Sequence, residues 1–126
     1  GGPLCLVIRG ARGLPNRDGK RPYCVCVVKT ASEQNCRTPA GDAIDPEWDH
    51  QQEFSDYKPG EHEIAFTVLC ESGQLATGKT TLSLKEVGGS KWMDKEISLD
   101  IDPAAKPKMP GRRYPCAPRI SRASER

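Results

Sequence analysis

The chain contains no run of about 18 apolar residues, so no stretch reads as a membrane-spanning helix. It has no Gly-x-Ser-x-Gly elbow, and its two histidines, His50 and His62, stand in polar surroundings without a nucleophile constellation. That excludes the common acyl-transfer arrangements and leads us to expect a noncatalytic protein. Cys-x-x-Cys pairs and close Cys/His clusters are also missing, which argues against a zinc site; we expect neither a metal nor another cofactor. No signal peptide is visible, so the six cysteines read as reduced thiols of a cytoplasmic chain and not as a disulfide framework. Hydrophobic residues make up only 36% of the sequence, low for one compact domain of 126 residues.

Part of that shortage comes from the charge distribution. Residues 1–102 hold 12 Lys and Arg against 16 Asp and Glu, whereas residues 103–126 hold 7 against 1. An acidic body is therefore followed by a basic, proline-rich segment, and the two nearly cancel in the net charge of +2. The basic positions include Lys106, Lys108, Arg112 and Arg113, suited to nonspecific attraction toward an anionic surface; no nucleic-acid motif accompanies them. Ser121 and Ser124, in an Arg-Ile-Ser-Arg-Ala-Ser run, are candidate phosphate acceptors that would lower this charge.

In the body, apolar residues alternate at period two and are cut by Gly, Pro and Asp, the pattern of short half-buried strands. Leu4, Leu6 and Ile8 mark a strand over residues 4–9, and Tyr23, Val25 and Val27 alternate with Cys24, Cys26 and Val28 over residues 22–30. Further strands are expected at 35–38, 48–54, 63–69, 79–84 and 95–100, with loops at 55–62 and 71–78. An eighth strand would fall within residues 112–121, where Pro115 and Pro118 restrict it to a sheet edge. The alternative is a disordered basic tail over 103–126. One motif points elsewhere: Gly73-x-x-x-x-Gly78-Lys79-Thr80 matches a phosphate-binding loop letter for letter. Such a loop needs a following helix, and Thr80 to Leu84 alternates as a strand, so we read the match as chance.

The ordered set Leu4-x-Leu6-x-Ile8, Leu14-Pro15, Pro22-Tyr23, Asp45-Pro46-x-Trp48 and Ile64-x-Phe66-x-Val68 resembles the C2 domain family over roughly residues 3–100. The resemblance implies an all-β fold, an eight-stranded antiparallel β-sandwich with the odd strand last. It also implies three loops at one end, near residues 16–21, 40–45 and 70–78, which in calcium-dependent relatives hold the ion against a lipid phosphate. A calcium ion takes six to eight oxygen ligands, several of them carboxylates. Here Asp18 matches the first acidic position, but the one before Pro-Tyr is Arg21, and two in the third loop are Cys70 and Ser72. Glu71 is one place out of register, and Asp42 and Asp45 lie in a loop that supplies few ligands. The resemblance therefore implies a member with a degenerate calcium site.

Two lipid-facing sets follow from the likeness. Arg17, Lys20 and Arg21 would form a cationic tip beside an inserting Leu75, and Lys29 and Arg37 would lie on the concave face used by phosphoinositide-binding relatives. The expected role is to bring a larger protein to anionic membranes or phosphoinositides, as a peripheral membrane component. The competing expectation is a protein partner docking on the outward Tyr23, Val25 and Val27. Trp48 and Trp92 read as packing residues.

Overall fold

The computed structural model describes residues 2–15, 19–87, 93–104 and 119–123. Along the chain come β1 (Gly2–Gly10), β2 (Tyr23–Lys29), β3 (Glu33–Arg37), β4 (Glu47–Tyr57), β5 (Glu63–Cys70) and β6 (Gly73–Thr81). A helical turn α1 (Leu84–Val87) follows, then β7 (Met93–Glu96), the two-residue β8 (Asp100–Ile101) and β9 (Arg119–Ala123). The strands form two antiparallel sheets, one in the order β4-β1-β9-β7 and the other β3-β2-β5-β6-β8. This is the all-β antiparallel sandwich, with eight strands of ordinary length and the short β8 ladder beside them.

Period-two alternation explains the layers. Leu4, Leu6 and Ile8 of β1 point inward, as do Cys24, Cys26 and Val28 of β2 and Ile64, Phe66 and Val68 of β5. Each fully buried side chain of this size stabilises by about 1.5–3 kcal/mol. β4 joins the core with Phe54 and Tyr57, three residues apart; Asp56, at φ 55°, takes up the extra residue and keeps both aromatic rings inside. The Tyr57 hydroxyl accepts a hydrogen bond from the Leu82 backbone N–H at 2.9 Å, fastening the end of β6 to the opposite sheet.

Three sequence expectations are corrected. β6 begins at Gly73 instead of residue 79, so the expected third loop shrinks to the Glu71-Ser72 turn. A register irregularity between Val68 and Leu69 lets adjacent Leu75 and Ala76 both turn inward, which hid the strand's periodicity. The phosphate-loop letters thus lie within a strand. Gly78 is there because a Cβ would come within 2.7 Å of Leu99 Cδ2 and 2.9 Å of the Ser98 carbonyl oxygen. The expected strand at 95–100 is two strands, one in each sheet: the chain crosses between sheets after Glu96, with Ile97 and Leu99 buried on the way. Finally, the last strand is Arg119–Ala123, and it lies between β1 and β7, inside its sheet and not at an edge. It starts just after Pro118, so no proline interrupts the ladder. The segment after Asp102 thus contributes a strand to the β4-β1-β9-β7 sheet.

Candidate functional site

One end of the sandwich gathers the β1–β2 connection (11–22), the β3–β4 connection (38–46) and the Glu71-Ser72 turn. Register places them together: Gly10 sits opposite Glu47 on one side and Arg119 on the other, and Tyr23 sits opposite Leu69. Asp102 and Arg119 both lie at this same end. The Asp102 N–H donates to the Leu75 carbonyl at 2.9 Å near the start of β6, and Arg119 opens β9 opposite Gly10.

The first two connections are stitched together by polar groups. The Pro22 carbonyl accepts from the Gly41 N–H at 2.7 Å and from Trp48 Nε1 at 3.0 Å. The Ala11 N–H donates to the Pro46 carbonyl at 3.1 Å, and Asp45 Oδ1 accepts from the Gly13 N–H at 3.0 Å. Arg21 spans the gap: its Nε donates to the Gly41 carbonyl at 3.1 Å, and Nη2 approaches the Ala40 carbonyl at 3.5 Å. Lys20 reaches the third element, with Nζ 3.7 Å from Glu71 Oε2. Lys20 and Arg21 thus link the first connection to the second and to the Glu71-Ser72 turn.

Several expected site residues are placed differently by this arrangement. Leu75 is 5% exposed and belongs to the core, so it is no membrane-inserting tip. Lys20 and Arg21 are bound to neighbouring loops and do not form a free cationic tip; Arg17 and Asp18 fall outside the described residues. Cys70 ends β5 with its side chain buried, Ser72 lies in the exposed turn, and Asp45 caps a backbone amide. Among the described residues, no three His, Cys, Asp or Glu side chains are grouped as a metal would require.

Lys29 and Arg37 share the outward face of the β2–β3 ladder but do not converge. Lys29 is opposite Glu33 and Arg37 opposite Val25, four residues or about 13 Å along the strand. The Arg37 guanidinium lies over the Tyr23 ring, 3.9 Å from its centroid, a cation–π contact that occupies it. The same face carries half-buried Tyr23, Val25 and Val27 opposite Leu69, Thr67 and Ala65. Lys106, Lys108, Arg112, Arg113, Trp92 and Ser124 lie outside the described residues. Sequence reading missed the Lys20–Glu71 pair and the direct Cys26–Cys36 juxtaposition across β2 and β3; both depend on register and loop path, which leave no periodic signal.

This chain belongs to the C2 domain family, whose profile matches residues 2–99. Among solved structures it is similar to the first C2 domain of a plant Extended Synaptotagmin 1, with TM-score 0.74 and 17% identity over 99% of this chain and 95% of that one. It is similar to the calcium-bound pair of C2 domains of Extended-Synaptotagmin 2, with TM-score 0.66 and 18% identity, covering 97% of this chain and 45% of the other. A human GIVD cytosolic phospholipase A2 matches with TM-score 0.69 and 16% identity over 99% of this chain but 17% of the enzyme. At such identities the likeness is one of fold. The search of curated proteins returned no match. No described helix is long and apolar enough to cross a membrane.

Proposed function

We propose that this domain is a noncatalytic, calcium-independent C2 module that docks a larger protein onto an anionic membrane surface through its loop-bearing end. The observation that carries this reading is the Arg21 guanidinium, bonded to carbonyl oxygen of the second connection where calcium-dependent relatives have an acidic ligand. A fixed cation there ties the loops together without metal and opposes entry of a second positive charge. Attraction to the membrane comes from residues 105–118, which hold Lys106, Lys108, Arg112 and Arg113 and no acidic residue. Each such residue near an anionic leaflet contributes about 1 kcal/mol, falling off with salt. Lys29 and Arg37 are too separated to grip one headgroup phosphate, which favours a diffuse anionic surface over a single phosphoinositide.

Co-sedimentation with phosphatidylserine and phosphatidylcholine vesicles tests this, in calcium and in chelator. The expected result is binding to the anionic vesicles only, equal in both buffers and weakened by salt; binding that requires calcium contradicts it. A second reading has its own observation, the half-buried outward stripe of Tyr23, Val25 and Val27 against Leu69 and Ala65, which suits an apolar protein partner. Absence of binding to either vesicle would favour that reading.

A further inference from the structure

Five cysteines are described, and all are unbridged. Two of them face each other: Cys26 of β2 and Cys36 of β3 are direct cross-strand partners in the antiparallel ladder, with neighbours Val25–Arg37 and Val27–Asn35 in uninterrupted register. Direct antiparallel partners have Cα atoms about 4.5 or 5.5 Å apart, and disulfides span about 4.4–6.8 Å, so either kind of pair is within bridging reach. The two side chains turn to the same inner face. Cys26 is fully buried, and Cys36 is half-buried on β3, the edge strand of its sheet. An edge strand has a neighbour on one side only, so it can adjust to close a bond and admits a small reagent.

We propose that Cys26 and Cys36 form a reversible oxidation site, a dithiol that hydrogen peroxide converts to a cross-strand disulfide. The chemistry of the pair divides the roles. The Cys26 thiol hydrogen-bonds to the Cys36 sulfur, which lowers the Cys36 pKa against the opposing effect of burial; the Cys26 thiol is raised by that bond and by its burial. Cys36 is thus the attacking thiolate. It displaces hydroxide from the peroxide: the S–O bond forms, the O–O bond breaks, and the hydroxide takes a proton to leave as water. The Cys26 sulfur then gives up its proton and attacks the Cys36 sulfenic acid, forming S–S and releasing a second water. Two sulfurs together lose the two electrons the peroxide gains. Cys24 is no substitute, since it is diagonal to Cys36, roughly 7–8 Å away by strand geometry, and burial pushes its thiol up to about 12.

Closing this bond would fasten the edge strand β3 to β2 and so steady the root of the second connection, independently of any membrane role. The test treats the full reduced chain with hydrogen peroxide and maps non-reduced peptides by mass spectrometry, alongside Cys36→Ser, Cys26→Val and Cys24→Val. Support is a Cys26–Cys36 linked peptide in the wild type and in Cys24→Val, released by dithiothreitol. Loss of the link in Cys36→Ser, and accumulation of a dimedone-reactive sulfenic acid at residue 36 in Cys26→Val, also support it. Oxidation of the wild type that leaves residues 26 and 36 as free thiols, or links Cys36 to any other cysteine, overturns the proposal without depending on any variant folding.

Discussion

In the body of the sandwich Phe54, Phe66, Ile8 and Val68 meet across two inner faces, and removing them from water holds the sheets together. At the loop-bearing end apolar burial falls to small or cyclic side chains, Ala11, Pro22 and Pro46, with Leu14 and Trp48 partly buried against the core. There Pro22, Gly41, Asp45 and Arg21 join residues 11–22 to residues 38–46 through hydrogen bonds between groups distant in sequence. In the body, lost volume leaves a cavity between the two sheets. Single bonds there are the smaller contributions, because several are exposed or shared, yet the bonds together set the shape of the surface we assign to docking.

That contrast is broken most severely from inside. Phe66→Ala should cost about 3–5 kcal/mol, read as a lower urea midpoint, because the site is enclosed by both sheets and cannot collapse. Gly78→Val should cost about 1–3 kcal/mol by forcing the chain at Ser98 and Leu99 away from β6; a neutral result would mean that crossing is loosely packed. The Glu86 carboxylate lies between the two regimes. Partial burial raises its pKa, but bonds from Lys95 at 2.8 Å and from the Ser83 backbone and hydroxyl outweigh this and bring it from 4.5 to about 2. Folding lowers this pKa, so its contribution is complete above pH 4.5 and lost as pH falls toward 2. With both side chains about a quarter exposed, we expect it to be worth about 1–2 kcal/mol, and Glu86→Gln should flatten the acid limb of a stability–pH curve over that range.

The smaller effects belong to the loop end. Trp48→Phe keeps a ring but leaves the Pro22 carbonyl with the Gly41 amide as its remaining partner, a cost of about 0.5–1.5 kcal/mol in urea melts. Arg21→Gln should cost under about 1 kcal/mol, since one of its bonds is exposed and the other only part-buried. Its clearer readout is faster amide exchange around Gly41. An Arg21 effect as large as that of Phe66 would erase the distinction drawn between the two regions.

Much of the body was legible because strands such as β1, β2 and β5 alternate cleanly, and Leu6, Cys26 and Phe66 fall where period two puts them. β6 was misread because Gly73 and Gly78 look like loop residues and the irregularity after Val68 puts Leu75 and Ala76 inward side by side. β9 was glimpsed in residues 112–121 but assigned to an edge, since only pairing reveals that the strand starts after the prolines. That Arg21, Cys70 and Ser72 stand where the family resemblance implies acidic residues was readable from the letters. What Arg21 does was not, because its acceptors are backbone carbonyls, which every residue carries.

The central claim, that a guanidinium stands in for a metal at the loop-bearing end, is tested most directly by titrating the full chain with calcium in a calorimeter. The account predicts no saturable heat up to about millimolar calcium, the weak end of the range for protein calcium sites. A one-site isotherm that disappears with Asp45→Asn would contradict it.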